Sequence, residues 1–85
     1  MDDIESRVRA FIHENFPVPE ELPSEESLLE SGIIDSIGVL TVVTWLEQEF
    51  SFIVEDDEVV PENLESVANL VRYVGAKLGE PGSHA

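Results

Sequence analysis

An 85-residue chain with 42% hydrophobic and 27% charged residues has room for one packed core and not for two, and it is not composed like a disordered segment. Its 19 acidic and 4 basic side chains give a formal charge of -15, which disfavours nucleic-acid backbones and anionic membrane surfaces and favours partners with basic patches. The absence of cysteine excludes disulfides, thiolate zinc sites and a cysteine nucleophile.

The first stretch, "MDDIESRVRAFIHENF", is acidic and amphipathic, unlike a secretory signal, and no apolar run in the chain is long enough to span a bilayer. A cytoplasmic protein is therefore expected. Ile4, Val8, Phe11 and Ile12 fall on one helical stripe, with Asp2 and Asp3 suited to cap it and to face the helix dipole. Pro17, Pro19 and Pro23 end that helix, since proline donates no backbone hydrogen bond and fixes an extended path. A long loop follows, "SEESLLESGIID", with Leu28, Leu29, Ile33 and Ile34 available to pin it to the core. A loop of this length in a small domain points to function.

From Ser36 the periodicity predicts a second helix with Val39, Val42, Val43, Leu46 and Phe50 on its core arc. Leu40 lies at the edge of that arc. Ile37, Thr44, Glu47 and Gln48 lie on a semi-polar flank, and Trp45 falls nearly opposite the arc, where it either packs beneath the long loop or marks a partner surface. "DDEVV" with Pro61 predicts one short helical turn. The last helix carries Val67, Leu70, Val71, Val74 and Leu78 on one stripe, with Ser66 as its N-cap. The expected fold is all-α: a small antiparallel four-helix bundle of three main helices and one short one, with a long loop between the first two. Residues 1–79 form a single domain and 80–85 a flexible C-terminal tail.

Little in this inventory supports catalysis. His13 belongs to the polar side of the first helix and His84 to the tail, so a Ser-His-Asp arrangement with Ser36 is not expected. The run Glu55-Asp56-Asp57-Glu58 lacks the spaced ligands and turn glycine of a calcium loop and reads as a solvated charge cluster, with no metal site. Ser36 admits two readings. Asp35 and Ser36 are both good residues for the first positions of a helix, which alone explains the pair. A helix N-terminus also presents unpaired N–H groups and a positive dipole end to a phosphodiester, and a serine there is accessible to a modifying enzyme.

The segment "LLESGIIDSIGVLTVVTWLEQEFSFIVEDDEV" and the later "ENLESVANLVRYV" resemble the acyl carrier protein family: a loop L-x-x-x-G-x-x-D-S-[L/I], a helix ending in E-x-E-F, an acidic turn and a final amphipathic helix. The resemblance implies that Ser36, with Asp35 beside it in the motif, is the attachment site of 4'-phosphopantetheine, whose thiol carries acyl groups as thioesters. The reactive sulfur then belongs to the cofactor, and the protein is a carrier rather than an enzyme. It also implies a phosphopantetheinyl transferase as partner, and acyl-loading and acyl-processing enzymes that use basic patches to dock on Ile37, Leu40, Glu47, Gln48, Asp56 and Asp57. A monomer is expected.

The chain departs from carriers of fatty acid synthesis at Ile37, where leucine is usual, at Gly38, where aspartate is usual, and at Thr41 and Thr44. These changes leave the docking flank less charged and point to a discrete carrier of a specialised pathway, with fatty acyl, polyketide or related lipid cargo. An aminoacyl or peptidyl carrier, and an unmodified helical interaction module, are the alternatives.

Overall fold

The computed structural model describes residues 3–79. Asp2, His84 and the tail at 80–85 lie outside the described residues. Helix α1, Ile4–Asn15, is capped by Asp3, whose carboxylate accepts the Ser6 N–H at 2.8 Å. It buries Val8, Phe11 and Ile12, the i, i+3, i+4 stripe expected of one helix face. The chain turns extended at Phe16, just before Pro17.

The long loop between α1 and the next helix is held at several points. Arg9 on α1 reaches across to it, donating to the Leu22 carbonyl and to Ser24 Oγ, both at 2.7 Å, while its Nε bonds Glu5 at 2.9 Å. Leu22, Leu28 and Ile34 are buried, and the Leu28 and Ala68 N–H groups donate to Glu65 and Ser24 at 2.7 and 2.8 Å. Gly32 takes φ 82°, a left-handed turn that glycine adopts without steric cost. Of the four apolar residues expected to pin the loop, Leu28 and Ile34 do so fully, and Leu29 and Ile33 are half-buried.

Helix α2, Ser36–Phe50, buries Gly38, Val42, Leu46 and Phe50. The expected arc is therefore corrected: Val39 and Val43 are only half-buried, and the helix is rolled toward α1. Two contacts account for this. A Cβ on Gly38 would lie 3.0 Å from Ile34 Cγ2 and 3.1 Å from Phe16 Cε1, so the missing side chain is what allows that approach. Further along, Trp45 stacks on Phe11 with centroids 4.4 Å apart and planes at 13°, and stands edge-on to Phe50 at 5.5 Å. Trp45 thus packs on α1 and not beneath the loop, and Gly38 belongs to the interior and not to the docking flank. Arg7 closes this side, with its guanidinium 5.0 Å from the Phe50 ring centroid and 2.9 Å from Glu49.

Two short helical pieces follow where one turn was expected: a 3-10 turn at Asp56–Glu58 and helix α3, Pro61–Leu64. Proline at the first position of α3 starts a new helix because its missing N–H is not needed there. Helix α4, Val67–Lys77, has Ser66 as N-cap, accepting the Asn69 N–H at 3.1 Å, and packs on α1 and α3. It buries Val67, Leu70, Tyr73 and Val74, with Tyr73 in the core in place of the expected Leu78, which is 44% exposed. The described residues hold four helices and no strand, a small helical bundle.

The acidic run is not wholly a solvated cluster. Glu58 accepts from the Glu55 N–H at 3.0 Å, the Tyr73 hydroxyl at 2.8 Å and Lys77 Nζ at 2.9 Å, tying the turn to α4. The Glu55 N–H, Lys77 and Tyr73 together pull the Glu58 carboxyl down from its ordinary 4.5 to about 2. Burial and the Glu58 charge push the Tyr73 hydroxyl up.

A group whose pKa is depressed by folding contributes stability above its unfolded value and loses it as pH falls through the folded value. Glu58→Gln is therefore expected to lower stability at neutral pH, with the gap to wild type closing as pH falls from 4.5 toward about 2; denaturant titrations at several pH values measure it. Trp45→Ala removes a half-buried aromatic stack and is expected to cost about 2 kcal/mol in urea unfolding.

Candidate functional site

The site begins at the junction of loop and α2. Asp35 is extended, at φ -104° and ψ -169°, and its carboxylate accepts the Gly38 N–H at 2.8 Å while its carbonyl accepts the Val39 N–H at 2.9 Å. Asp35 is thus the N-cap, and Ser36, the first helical residue, is exposed with its hydroxyl free of the capping role. The Ser36 and Ile37 N–H groups precede the intrahelical ladder, as the first amides of any helix do. An exposed hydroxyl beside unladdered amides at the positive end of a dipole fits a phosphodiester sterically and electrostatically. The buried loop residues Leu28 and Ile34 hold this junction in place from behind.

Among the described residues no side chain is hydrogen-bonded to the Ser36 hydroxyl to activate it as a nucleophile. His13 is exposed in the last turn of α1 and makes no hydrogen bond to Ser36 among the described residues. Those residues also contain no group of three His, Asp or Glu side chains able to hold a metal.

Beyond the serine, Ile37 and Leu40 are 74% and 65% exposed. They form one side of an open groove of about 450 Å³, lined also by Thr41, Thr44, Gln48 and the Phe11–Trp45 stack. Ile37, Leu40 and Gln48 therefore lie together. Glu47 is turned away from the groove: its carboxylate accepts the Val54 N–H at 2.9 Å and fastens the chain leaving α2. Asp56 and Asp57 are exposed on the 3-10 turn and do not line the groove. Phe11 was expected only in the core, and Trp45 either beneath the loop or on a partner surface. Their signal was present in the sequence as two aromatics outside any charge pattern, but only the roll of α2 brings them into register. On another side of α2, Val39 lines a smaller pocket of about 110 Å³ with Leu29, Val59, Val60, Pro61 and Leu64.

Comparison with known proteins gives this geometry its class. The family model described as "Phosphopantetheine attachment site" matches residues 6–74, which span α1 to α4 and include Ser36. The chain is also 32% identical over 79 residues to the acyl carrier protein of Thermotoga maritima, covering 92% of this chain and 95% of that protein. It belongs to the acyl carrier protein family, whose members are carriers and not enzymes and bear covalently attached 4'-phosphopantetheine.

Replacing the cap leaves the Gly38 N–H without its side-chain acceptor. Asp35→Ala is expected to cost about 1 kcal/mol of stability in urea unfolding, and amide exchange at Gly38 is expected to quicken relative to the centre of α2.

Proposed function

We propose that Ser36 Oγ carries the phosphopantetheine and that the protein shuttles thioester-bound intermediates between biosynthetic enzymes. The observation that carries this reading is the exposed Ser36 hydroxyl at the start of an α2 already capped by Asp35. The group supplies a terminal thiol for thioester formation. The chain's own residues anchor it: Ser36 through its hydroxyl and the first-turn amides by facing its phosphate, with Asp35 keeping that turn intact.

The acidic surface gives long-range attraction to enzymes with basic patches, which speeds encounter without lengthening each complex, as a shuttle needs. Docking runs along Ile37, Leu40 and Gln48, with Asp56 and Asp57 exposed for the approach. We place the protein in the cytoplasm as a monomer, one domain over 1–79 with a tail at 80–85. In support, no helix among the described residues is long and apolar enough to cross a membrane.

For cargo, the pocket beside Val39 supports one reading. At about 110 Å³ it is smaller than the ~150 Å³ cavity that admits benzene. This favours a short acyl or aminoacyl group over a long chain drawn into the bundle, and with the uncharged flank at Thr41 and Thr44 it favours a specialised pathway over bulk fatty acid synthesis.

Incubation with coenzyme A and a broad-specificity phosphopantetheinyl transferase is expected to add one phosphopantetheine to the wild-type chain and none to Ser36→Ala, read by intact-protein mass. Failure of folded wild-type protein to gain the group with several transferases would sink the proposal and leave the unmodified interaction module in its place.

A further inference from the structure

Most of the small pocket beside Val39 is walled by one short stretch of chain, Val59, Val60, Pro61 and Leu64, which faces Leu29 and Val39. The side toward α2 is fixed, because Val39 belongs to that long helix and Leu29 follows the buried Leu28. The facing wall runs from the 3-10 turn into the four-residue α3, and pieces this short have few ladder bonds of their own to hold their shape. Val59 and Pro61 are exposed, so burial does not hold its middle either.

The ties that hold this wall come from α4. At its far end Leu64 is buried, and the Asn69 side-chain amide donates to the Glu62 carbonyl at 2.6 Å. At its near end stands Glu58. The Glu58 carbonyl accepts the Val60 N–H at 2.9 Å and the Asn63 side-chain amide at 2.8 Å, while its carboxylate accepts the Tyr73 hydroxyl at 2.8 Å and Lys77 Nζ at 2.9 Å. Both donors are anchored in turn: Tyr73 is buried edge-on to Phe52 at 5.8 Å, and the Lys77 ammonium lies 5.7 Å from the same ring centroid. Widening the pocket moves Val59 and Val60 away from Val39, and because they follow Glu58 directly, the movement pulls on its bonds to α4. Hydrogen bonds to an ionised group are among the stronger ones, and leaving them unmade is costly.

Resting on the carrier reading above, we propose that Tyr73 and Lys77 are specificity-determining residues, which through Glu58 clasp the wall at 59–64 to α4 and restrict the cargo that the bundle can enclose to short acyl groups. Neither residue lines the pocket, so both act as positioning residues. The lining itself is apolar and would accept a longer chain; what excludes one is the clasp.

The test compares the wild-type chain with Tyr73→Phe/Lys77→Met, which keeps the ring and the aliphatic stem and removes both donors. In the unmodified proteins, amide exchange at Val60, Asn63 and Leu64 is expected to quicken about tenfold in the variant relative to the centre of α1. Both proteins are then loaded from acetyl- and octanoyl-coenzyme A by a broad-specificity transferase. The two loaded forms of the wild type are expected to melt within about 1 °C of each other, and the octanoyl form of the variant about 4 °C above its acetyl form. A role in stability alone would lower both forms of the variant alike. A wild-type octanoyl form that melts well above its acetyl form, equal midpoints in the variant, or exchange that does not quicken overturns the proposal. If the double variant does not fold, Tyr73→Phe alone is judged by the same criteria. If the wild-type serine takes no phosphopantetheine, the carrier reading falls, and octanol added to the unmodified proteins decides the clasp: perturbed Val39 methyl signals in the variant alone support it, and an equal response of the two proteins overturns it.

Discussion

The close approach at Gly38 sets the rest of the molecule. With no side chain at that position, α2 comes within reach of Phe16 at the end of α1 and Ile34 at the end of the loop. A methyl group there would require Ile34 or Phe16 to give by a few tenths of an ångström. The roll of α2 carries Trp45 onto Phe11, leaves Val39 and Val43 half-buried on the opposite flank, and aims Ile37 and Leu40 at solvent. The Gly38 approach and the Trp45–Phe11 stack together are consistent with the face that α2 buries. A glycine in a helix interior costs roughly 1 kcal/mol of propensity relative to alanine; here it sits in the first turn, where the Asp35 carboxylate bonds its N–H at 2.8 Å.

That geometry also goes with a long loop that is held at several points rather than left loose. Arg9 grips the loop at Leu22 and Ser24 from α1, and the backbone bonds from Leu28 to Glu65 and from Ala68 to Ser24 tie it to the residue before the α4 cap and to the first turn of α4. The loop therefore behaves as a strap between the first and last helices, with its apolar residues turned inward. Ser36 stands where the strap ends and a helix begins, exposed at the start of a turn that the Asp35 cap holds in place.

Much of this was legible in the sequence, and the reasons differ by element. The stripes of α1 and α4 and the caps at Asp3, Asp35 and Ser66 follow from local rules, periodicity and side-chain hydrogen bonding, which need no knowledge of neighbours. The rotation of α2 does not, because its apolar residues nearly encircle it and the choice of buried face falls to tertiary contacts. Gly38 was legible only as a missing charge, since nothing local reveals that Phe16 and Ile34 would meet it. Tyr73 displaced Leu78 from the expected stripe because its ring can be buried while its hydroxyl reaches Glu58 at 2.8 Å, a partner 15 residues earlier. Glu58 and Glu47 were legible as acids, and their use as internal ties depended on where the chain returned.

The same internal ties decide what a partner meets. Of the 4 basic side chains, Arg7, Arg9 and Lys77 pair with Glu49, Glu5 and Glu58. Little positive charge is left to neutralise the remaining carboxylates, so the field felt at a distance is strongly negative. Close to α2, by contrast, Glu47 and Glu49 are engaged and the surface is neutral and apolar. A carrier must be found quickly by several enzymes and released by each, and these demands conflict if one set of charges serves both, since strong pairing at contact slows release. With docking on the outer face of α2, as proposed above, the field lies on the surrounding surface and the contact on an uncharged face, which separates the two. On that proposal the encounter rate follows net charge, and the lifetime of the complex follows the shape and apolar area around Ile37 and Leu40.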